Sequence, residues 1–320
     1  MKRLMLAILA VLLLAGTVQN VHAYGVSISS PLNYSDAGWG GWSVPAGNVV
    51  LGGGFNLTGS TAVASAPAEP NSVWPHYTYG TGEYGWVVQS AQDGNSSPGS
   101  NVYATYDTMP TGYGVAVSPV MSFSDGGWGG WSVPQGKVVL GGGFIANNPV
   151  SASAPGTPNS IWAHYTYGAN EYGWVIQDAV DGNNNAIQVY AIYADETAIT
   201  GYEVMKSSAL NYSDGGFAGW SVSSGKVVSG GGFLFAGDNG ATPSVSAPGT
   251  PDSAWPHYTF GSDEYGWVVA DLQDGITPGS GSYVYAIGYD SINAVPVPAA
   301  VWLLGSGLLG LLGIRRKMKN

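Results

Sequence analysis

Three of the four histidines in this 320-residue chain stand in one recurring run: WPHYTY from Trp74, WAHYTY from Trp162 and WPHYTF from Trp255. Imidazole is the side chain that most readily changes charge near neutrality, so a histidine repeated in one context is a candidate base, a metal ligand or a packed strand residue. If Gly80-Thr81-Gly82-Glu83 is a four-residue hairpin loop, Tyr79 opposes Tyr84, Tyr77 opposes Trp86 and Pro75 opposes Val88. Side chains alternate along a strand. His76 then lies opposite Val87, on the face away from Tyr77, Tyr79, Tyr84 and Trp86, and the same register is expected for His164 with Trp174 and His257 with Trp267. Glu83 sits in the turn, beyond the roughly 3 Å that proton transfer from His76 needs. The chain has no cysteine for thiol chemistry, no nucleophile elbow and no zinc-protease helix motif. An acid pair for glycoside hydrolysis drawn from Asp36, Glu83 and Asp93 is not singled out among 20 carboxylates. The chain is expected not to be an enzyme.

Binding chemistry remains open. Should three units meet on a threefold axis, His76, His164 and His257 become equivalent and their imidazoles can share one metal ion; otherwise they are strand residues bonded to nearby backbone or hydroxyls. The acids Asp36, Asp125 and Asp214, in YSDAGW, SDGGW and YSDGGF, recur, as do Asp93, Asp181 and Asp274 before Gly. Calcium is one reading of them and Asp-Gly turn chemistry the other, because the dense ligand spacing of a calcium loop is missing. No other cofactor is expected. Trp39, Trp42, Trp128, Trp131, Phe217 and Trp220 lie in glycine-rich stretches where neighbours cover a ring less easily. Beside Asp36, Asp125 and Asp214 they are candidate stacking platforms for sugar rings, and three copies would add avidity on a polymer. The alternative is that these rings are core, as expected for Trp86, Trp174 and Trp267.

The elements that must position these residues come in three copies. YGVSISSPLNYSDAGWGGWSVPAGNVVLGGGF from Tyr24 is answered by close variants from Tyr113 and Tyr202, starts that are 89 residues apart each time (113 − 24 and 202 − 113). The units are 24–112, 113–201 and 202–294. Within each, runs such as GWSVP, NVVLGGGF, AVASAP, EYGWVVQ and NVYATY read as short strands bounded by Gly, Pro, Asn or Asp, and no capped helical period appears. The body is therefore expected to be all-β. Three tandem sandwiches are one assembly. A single pseudo-threefold, β-prism-like unit is favoured, because no Pro/Ser-rich linker separates the copies and the triplets Gly52–Gly54, Gly141–Gly143 and Gly230–Gly232 suit close approach of backbones.

The two ends read as addresses. MKRLMLAILAVLLLAGTVQNVHA has Lys2 and Arg3, an apolar stretch too short to span a membrane, and small residues before Tyr24: a secretory signal helix with cleavage expected between Ala23 and Tyr24. The other end, 295–320, has an apolar run stopped by Arg315, Arg316, Lys317 and Lys319, a transmembrane helix with its charges held on the cytoplasmic side. Between the ends, Lys137, Lys206 and Lys226 face all 20 carboxylates, a formal charge of −17. Nucleic acid is excluded as a partner on that balance, since phosphate binding runs on Lys and Arg. Charged residues are only 9% of the chain and glycines number 50, so Ser, Thr, Asn, Gly and Tyr must dominate the surface.

Val295, Pro296, Pro298, Ala299, Trp302, the GSGLLG run from Gly305 and the final basic cluster resemble the VPxPA variant of the PEP-CTERM sorting tails of Gram-negative, exopolysaccharide-making bacteria. The resemblance is confined to the last 26 residues. It implies recognition by an exosortase, cleavage near the Pro motif, and release or attachment at the surface. The expectation is thus an exported, non-enzymatic cell-surface or extracellular-matrix protein that passes through an inner-membrane intermediate. Its partners would be the secretion machinery, the exosortase and, on the alternative lectin-like reading, extracellular polysaccharide.

Overall fold

A computed structural model describes residues 24–32, 38–91, 100–122, 127–179, 186–210, 216–235, 242–271 and 282–290. The expected signal (1–23), the expected sorting tail (295–320) with Val295, Pro296, Pro298, Ala299, Arg315, Arg316 and Lys317, and the acids Asp36, Asp93, Asp125, Asp181, Asp214 and Asp274 lie outside the described residues. Residues Ala23–Asp290 form one compact unit. Among the described residues its regular elements are strands, apart from one 3₁₀ turn at Glu196–Ala198.

Three antiparallel sheets enclose one core. The first runs in the order Gly25–Ile28, Asn101–Asp107, Val49–Asn56, Pro243–Gly249, Gly266–Asp271, Phe217–Ser221. The second runs Met121–Ser122, Ala186–Asp195, Lys137–Ile145, Ala62–Ala68, Gly85–Ser90, Trp39–Ser43, with Gly114–Val117 also on Ala186–Asp195. The third runs Trp128–Ser132, Gly173–Asp178, Val150–Gly156, Lys226–Leu234, Tyr283–Asp290, Glu203–Lys206. This is the closed β-prism-like arrangement, and it excludes three separate sandwiches.

A prism face, however, is not a repeat. Each sheet is built from two copies, three strands from each, with a fourth from one copy on the second sheet, and the two parts are sewn by the pairs Phe55 with Ser246, Phe144 with Ser65, and Phe233 with Ser153. Every copy therefore straddles two faces, and each inner strand pairs on one side with its own copy and on the other with a neighbour. Alternation supplies the core. Val50, Val88, Val139, Ile176, Val228 and Val269 point inward from the three sheets into one buried cluster.

The glycine triplets explain how three backbones fit at the centre. A Cβ on Gly52 would meet the Ser229 carbonyl and, at 2.9 Å, the Gly230 Cα; one on Gly230 would meet Gly141 Cα at 2.8 Å, and one on Gly141 would meet Gly52 Cα at 2.8 Å. The contact is cyclic, 52 to 230 to 141, so these glycines mark the pseudo-threefold axis. Each strand bulges one residue earlier, between Val50 and Gly52, Val139 and Gly141, and Val228 and Gly230, which turns the intervening carbonyl toward the next copy. The second glycines, Gly53, Gly142 and Gly231, lie against the indoles of Trp86, Trp174 and Trp267. Those three tryptophans are fully buried, as expected of core rings. Each donates its Nε1–H to a serine of its own copy, Ser65, Ser153 or Ser246, at 2.9 Å.

Tyrosines close the ring at one remove from the axis. Tyr84 meets Tyr113 of the next copy edge to face at 5.8 Å, Tyr172 meets Tyr202 at 5.6 Å, and Tyr265 returns to Tyr24 at 5.4 Å. Tyr113 donates to the Val50 carbonyl and Tyr202 to the Val139 carbonyl, at 2.9 and 2.8 Å. Burial pushes the phenols of Tyr24, Tyr113 and Tyr202 well above their ordinary range, because the charged form would lose its water.

Candidate functional site

The histidine runs do not form the hairpin that a loop at 80–83 predicts. Val73 pairs with Thr78 and Trp74 with Tyr77, leaving Pro75-His76 as a two-residue turn. Ile161 with Thr166 and Ala254 with Thr259 repeat the arrangement around His164 and His257. His76 and His257 have φ of 64° and 62°, the left-handed value at the third position of a type II turn, and Pro75 and Pro256 supply the position before. The strand Gly85–Ser90 is engaged elsewhere, so Trp86 opposes Trp42 and Pro67 rather than Tyr77. All three histidines are exposed at the tips of separate hairpins. Among the described residues no three His, Asp or Glu side chains gather as a metal site, so the condition attached to a shared ion, convergence of His76, His164 and His257, is not met.

Glu83 acts as a clasp. It accepts from Ser43 Oγ at 2.5 Å and from the Gly80 amide at 2.7 Å, and these bonds hold its carboxyl below the usual range. Glu171 does the same with Ser132 and Gly168. In the third copy Glu264 keeps the bond to the Gly261 amide, while Ser221 turns to the Tyr258 hydroxyl.

The GWGGW rings separate by period two. Trp42, Trp131 and Trp220 point inward and pack on the central core, and Trp42 Nε1 donates to Ser27 Oγ at 2.6 Å. They are half-buried there. Trp39, Trp128 and Phe217 point outward, but glycine has not left them bare: the histidine hairpins fold over them. Gly41, Gly130 and Gly219 lie against Tyr77, Tyr165 and Tyr258, where a Cβ would strike the ring. The hairpin tryptophan then covers the outer ring, Trp74 on Trp39 at 6.0 Å and Trp162 on Trp128 at 5.7 Å. On the far side it meets a tyrosine contributed by another copy: Trp74 meets Tyr190 at 6.2 Å, Trp162 meets Tyr285 at 5.9 Å, and Trp255 meets Tyr103 at 5.8 Å. Sequence reading missed Trp74, Trp162 and Trp255 as partners of the GWGGW rings. Their shared run with the histidines was the available signal.

On the second sheet this aromatic cluster borders a groove of about 490 Å³, with Val115 and Ile145 among its lining, Trp39, Trp74 and Tyr190 along it, and Glu69 and Ser72 at the rim. The faces differ here. On the third sheet Lys206 lies 3.7 Å over the Tyr283 ring, beside Tyr285, where the second sheet has Val117. Ser160 and Ser253 donate back to the carbonyls of Thr157 and Thr250 at 2.6 Å. Ser72, whose counterpart carbonyl belongs to Glu69, has a covered hydroxyl without a partner, and so has the Trp74 indole N–H. A covered polar atom left unpaired costs about 1–3 kcal/mol, and the indole N–H groups of Trp162 and Trp220 are left in the same way. Partial desolvation pushes the Glu69 carboxyl up.

All three lysines of the body are committed. Lys137 pairs with Asp195 at 2.5 Å, Lys226 with Asp290 at 3.2 Å, and Lys206 sits on Tyr283. None lines the groove. Comparison with known proteins finds no family model and no curated protein that matches this chain.

Proposed function

We propose that this is an exported, non-enzymatic surface or matrix protein whose body is a rigid acidic scaffold, delivered by its C-terminal tail and processed by an exosortase. The observation that carries the reading is the coincidence of two boundaries. The compact unit spans Ala23–Asp290, and the processing points expected from the sequence lie at Ala23–Tyr24 and from Val295 onward. Removal of both ends would leave the folded body whole, with Tyr24 already locked against Tyr265 and Tyr289. Strand exchange supports the scaffold role, since no copy can open without exposing its neighbours' inner faces.

The tail is tested in the producing cell by Pro298→Ala and, separately, by replacing Arg315, Arg316 and Lys317 with Ser. Each variant is expected to stay unprocessed in the membrane fraction while the parent reaches the surface or medium. Normal processing and sorting of both variants would overturn the delivery reading. Polysaccharide binding is the second reading. The inward turn of Trp42, Trp131 and Trp220 moves it away from those rings and toward the outer faces.

A further inference from the structure

We propose that the first copy carries a receptor for the chain's own new N-terminus: the α-ammonium freed at Tyr24 seats against the buried Asp107 carboxylate and ties the first copy to the third. The inference rests on cleavage between Ala23 and Tyr24, one part of the delivery reading, and the test separates the two.

The three copies differ at the point where each one starts. Ahead of the second copy, Lys137 opposes Asp195 across the ladder, pairs with it at 2.5 Å and donates to the Gly112 carbonyl at 3.4 Å, while the Asp195 amide donates to the Thr111 carbonyl. Ahead of the third, Lys226 and Asp290 hold the carbonyls of Gly201 and Thr200 in the same way. An ammonium and a carboxylate thus grip the chain that enters from the preceding copy. The same register sets Asn48 opposite Thr108 in the first copy, where neither charge is present. Asn48 turns back to the Pro45 carbonyl at 3.2 Å. The first copy is built without the grip that holds an incoming chain.

It has Asp107 as its own device, at the position that Ala194 and Tyr289 occupy in the other copies. Asp107 is 5% exposed. One carboxylate oxygen accepts from the Thr108 amide at 2.7 Å, and the other accepts from the Tyr289 hydroxyl of the third copy at 2.9 Å. Among the described residues no lysine pairs with it. A buried carboxylate is costly without a cation, and Tyr24 is where a cation can arise. Gly25 is the partner of Tyr106, so the next step outward sets Tyr24 beside Asp107, at the roughly 4.5–5.5 Å between Cα atoms of an antiparallel pair. The Tyr24 ring packs on Tyr265 and Tyr289 at 5.4 and 6.4 Å. Burial, the Tyr265 phenol and the Asp107 charge, in that order, push its own phenol up.

Hydrolysis of the Ala23–Tyr24 bond consumes one water, leaves a carboxylate on the departing signal and leaves an amine on Tyr24, which takes up a proton at neutral pH. A neutral amide becomes a cationic donor beside an acid that already holds the third copy. The seam between third and first copies is the one that no peptide joint crosses. Signal removal would therefore strengthen the ring where chain connectivity does not.

The test uses the protein recovered from its own cells and a variant with Thr-Gln inserted between Ala23 and Tyr24. A signal cut needs a small residue before it, so the variant is cut after Ala23 and carries its ammonium two residues further out. N-terminal sequencing reads both starts; urea denaturation and acylation of the α-amine compare them. The parent is expected to begin at Tyr24, and the insertion to lower its folding constant by roughly tenfold or more, the share of a buried charged hydrogen bond. In Asp107→Asn, which keeps an acceptor for the Thr108 amide, the same insertion should change nothing. Acylation of the parent's Tyr24 amine should be about tenfold slower than in Asp107→Asn, because a paired ammonium gives up its proton less readily. A parent that begins at Tyr24 but is indifferent to the insertion, an equal loss in Asp107→Asn, or equal acylation rates would each overturn this proposal and leave delivery standing. A parent that begins elsewhere would overturn both.

Discussion

Glycine is where this chain states its geometry most plainly, one residue at a time. The three members of each GGG triplet meet three different obstacles: another copy's backbone at the axis, a tryptophan ring, and a carbonyl at the seam between copies. Only the first obstacle was legible in the sequence, as a general fitness for close approach. The other two depend on which strand lies across the sheet, and composition does not carry that. The middle glycine gives a sharp prediction. Gly142→Ala puts a methyl group against the Trp174 indole and close to the Tyr190 carbonyl, and overpacking of this kind costs about 1–3 kcal/mol. Gly80→Ala would meet only the flexible end of Glu83, at 3.3 Å, and should change stability by no more than about 0.5 kcal/mol. Urea denaturation midpoints separate the two; equal midpoints would show that the indole does not rest on Gly142.

At the scale of elements, strand identity was readable and strand pairing was not. GWGGW and VVLGGGF form strands where their composition places them, and EYGWVV does so from Gly85 onward. The pairing of WPHYTY was misread because a four-residue loop at Gly80–Glu83 competes with a shorter turn within the run. Pro75 presets the backbone for a type II turn, and His76 accepts a positive φ there although Gly or Asn is the usual occupant. Gly85–Ser90 is meanwhile claimed by Trp39–Ser43 and Ala62–Ala68. The consequence for function is large. The histidines become exposed turn residues, and the tryptophan preceding them becomes the lid over Trp39 and Trp128. Trp39 and Trp42 were grouped together in the sequence although alternation puts them on opposite faces; the cover over Trp39 was beyond the sequence, because a two-stranded hairpin lying on the sheet is a tertiary contact.

For the whole molecule, three repeats, an all-β body and closure about a pseudo-threefold axis were all contained in the sequence. The exchange of strands between copies was not, since equal copies give equal patterns whether a face holds one repeat or two halves. That exchange sets the folding unit. A chain of residues 113–201 alone retains Lys137–Ile145 and Val150–Gly156 but loses the strands they adjoin, Ala62–Ala68 and Lys226–Leu234. It should show no cooperative unfolding transition by circular dichroism, whereas the whole body should unfold in one step; a single repeat that melts cooperatively would mean that each copy has a core of its own. The same closure suits the body to be a self-contained cargo between the two ends proposed to be removed, and delivery is the central claim. Intact mass of the protein recovered from the surface or medium of its own cells tests it most directly. The predicted product begins at Tyr24 and ends within or beside Val295–Ala299, well below the 32.9 kDa of the whole chain. Recovery of the full 32.9 kDa species with its basic cluster in place would contradict it.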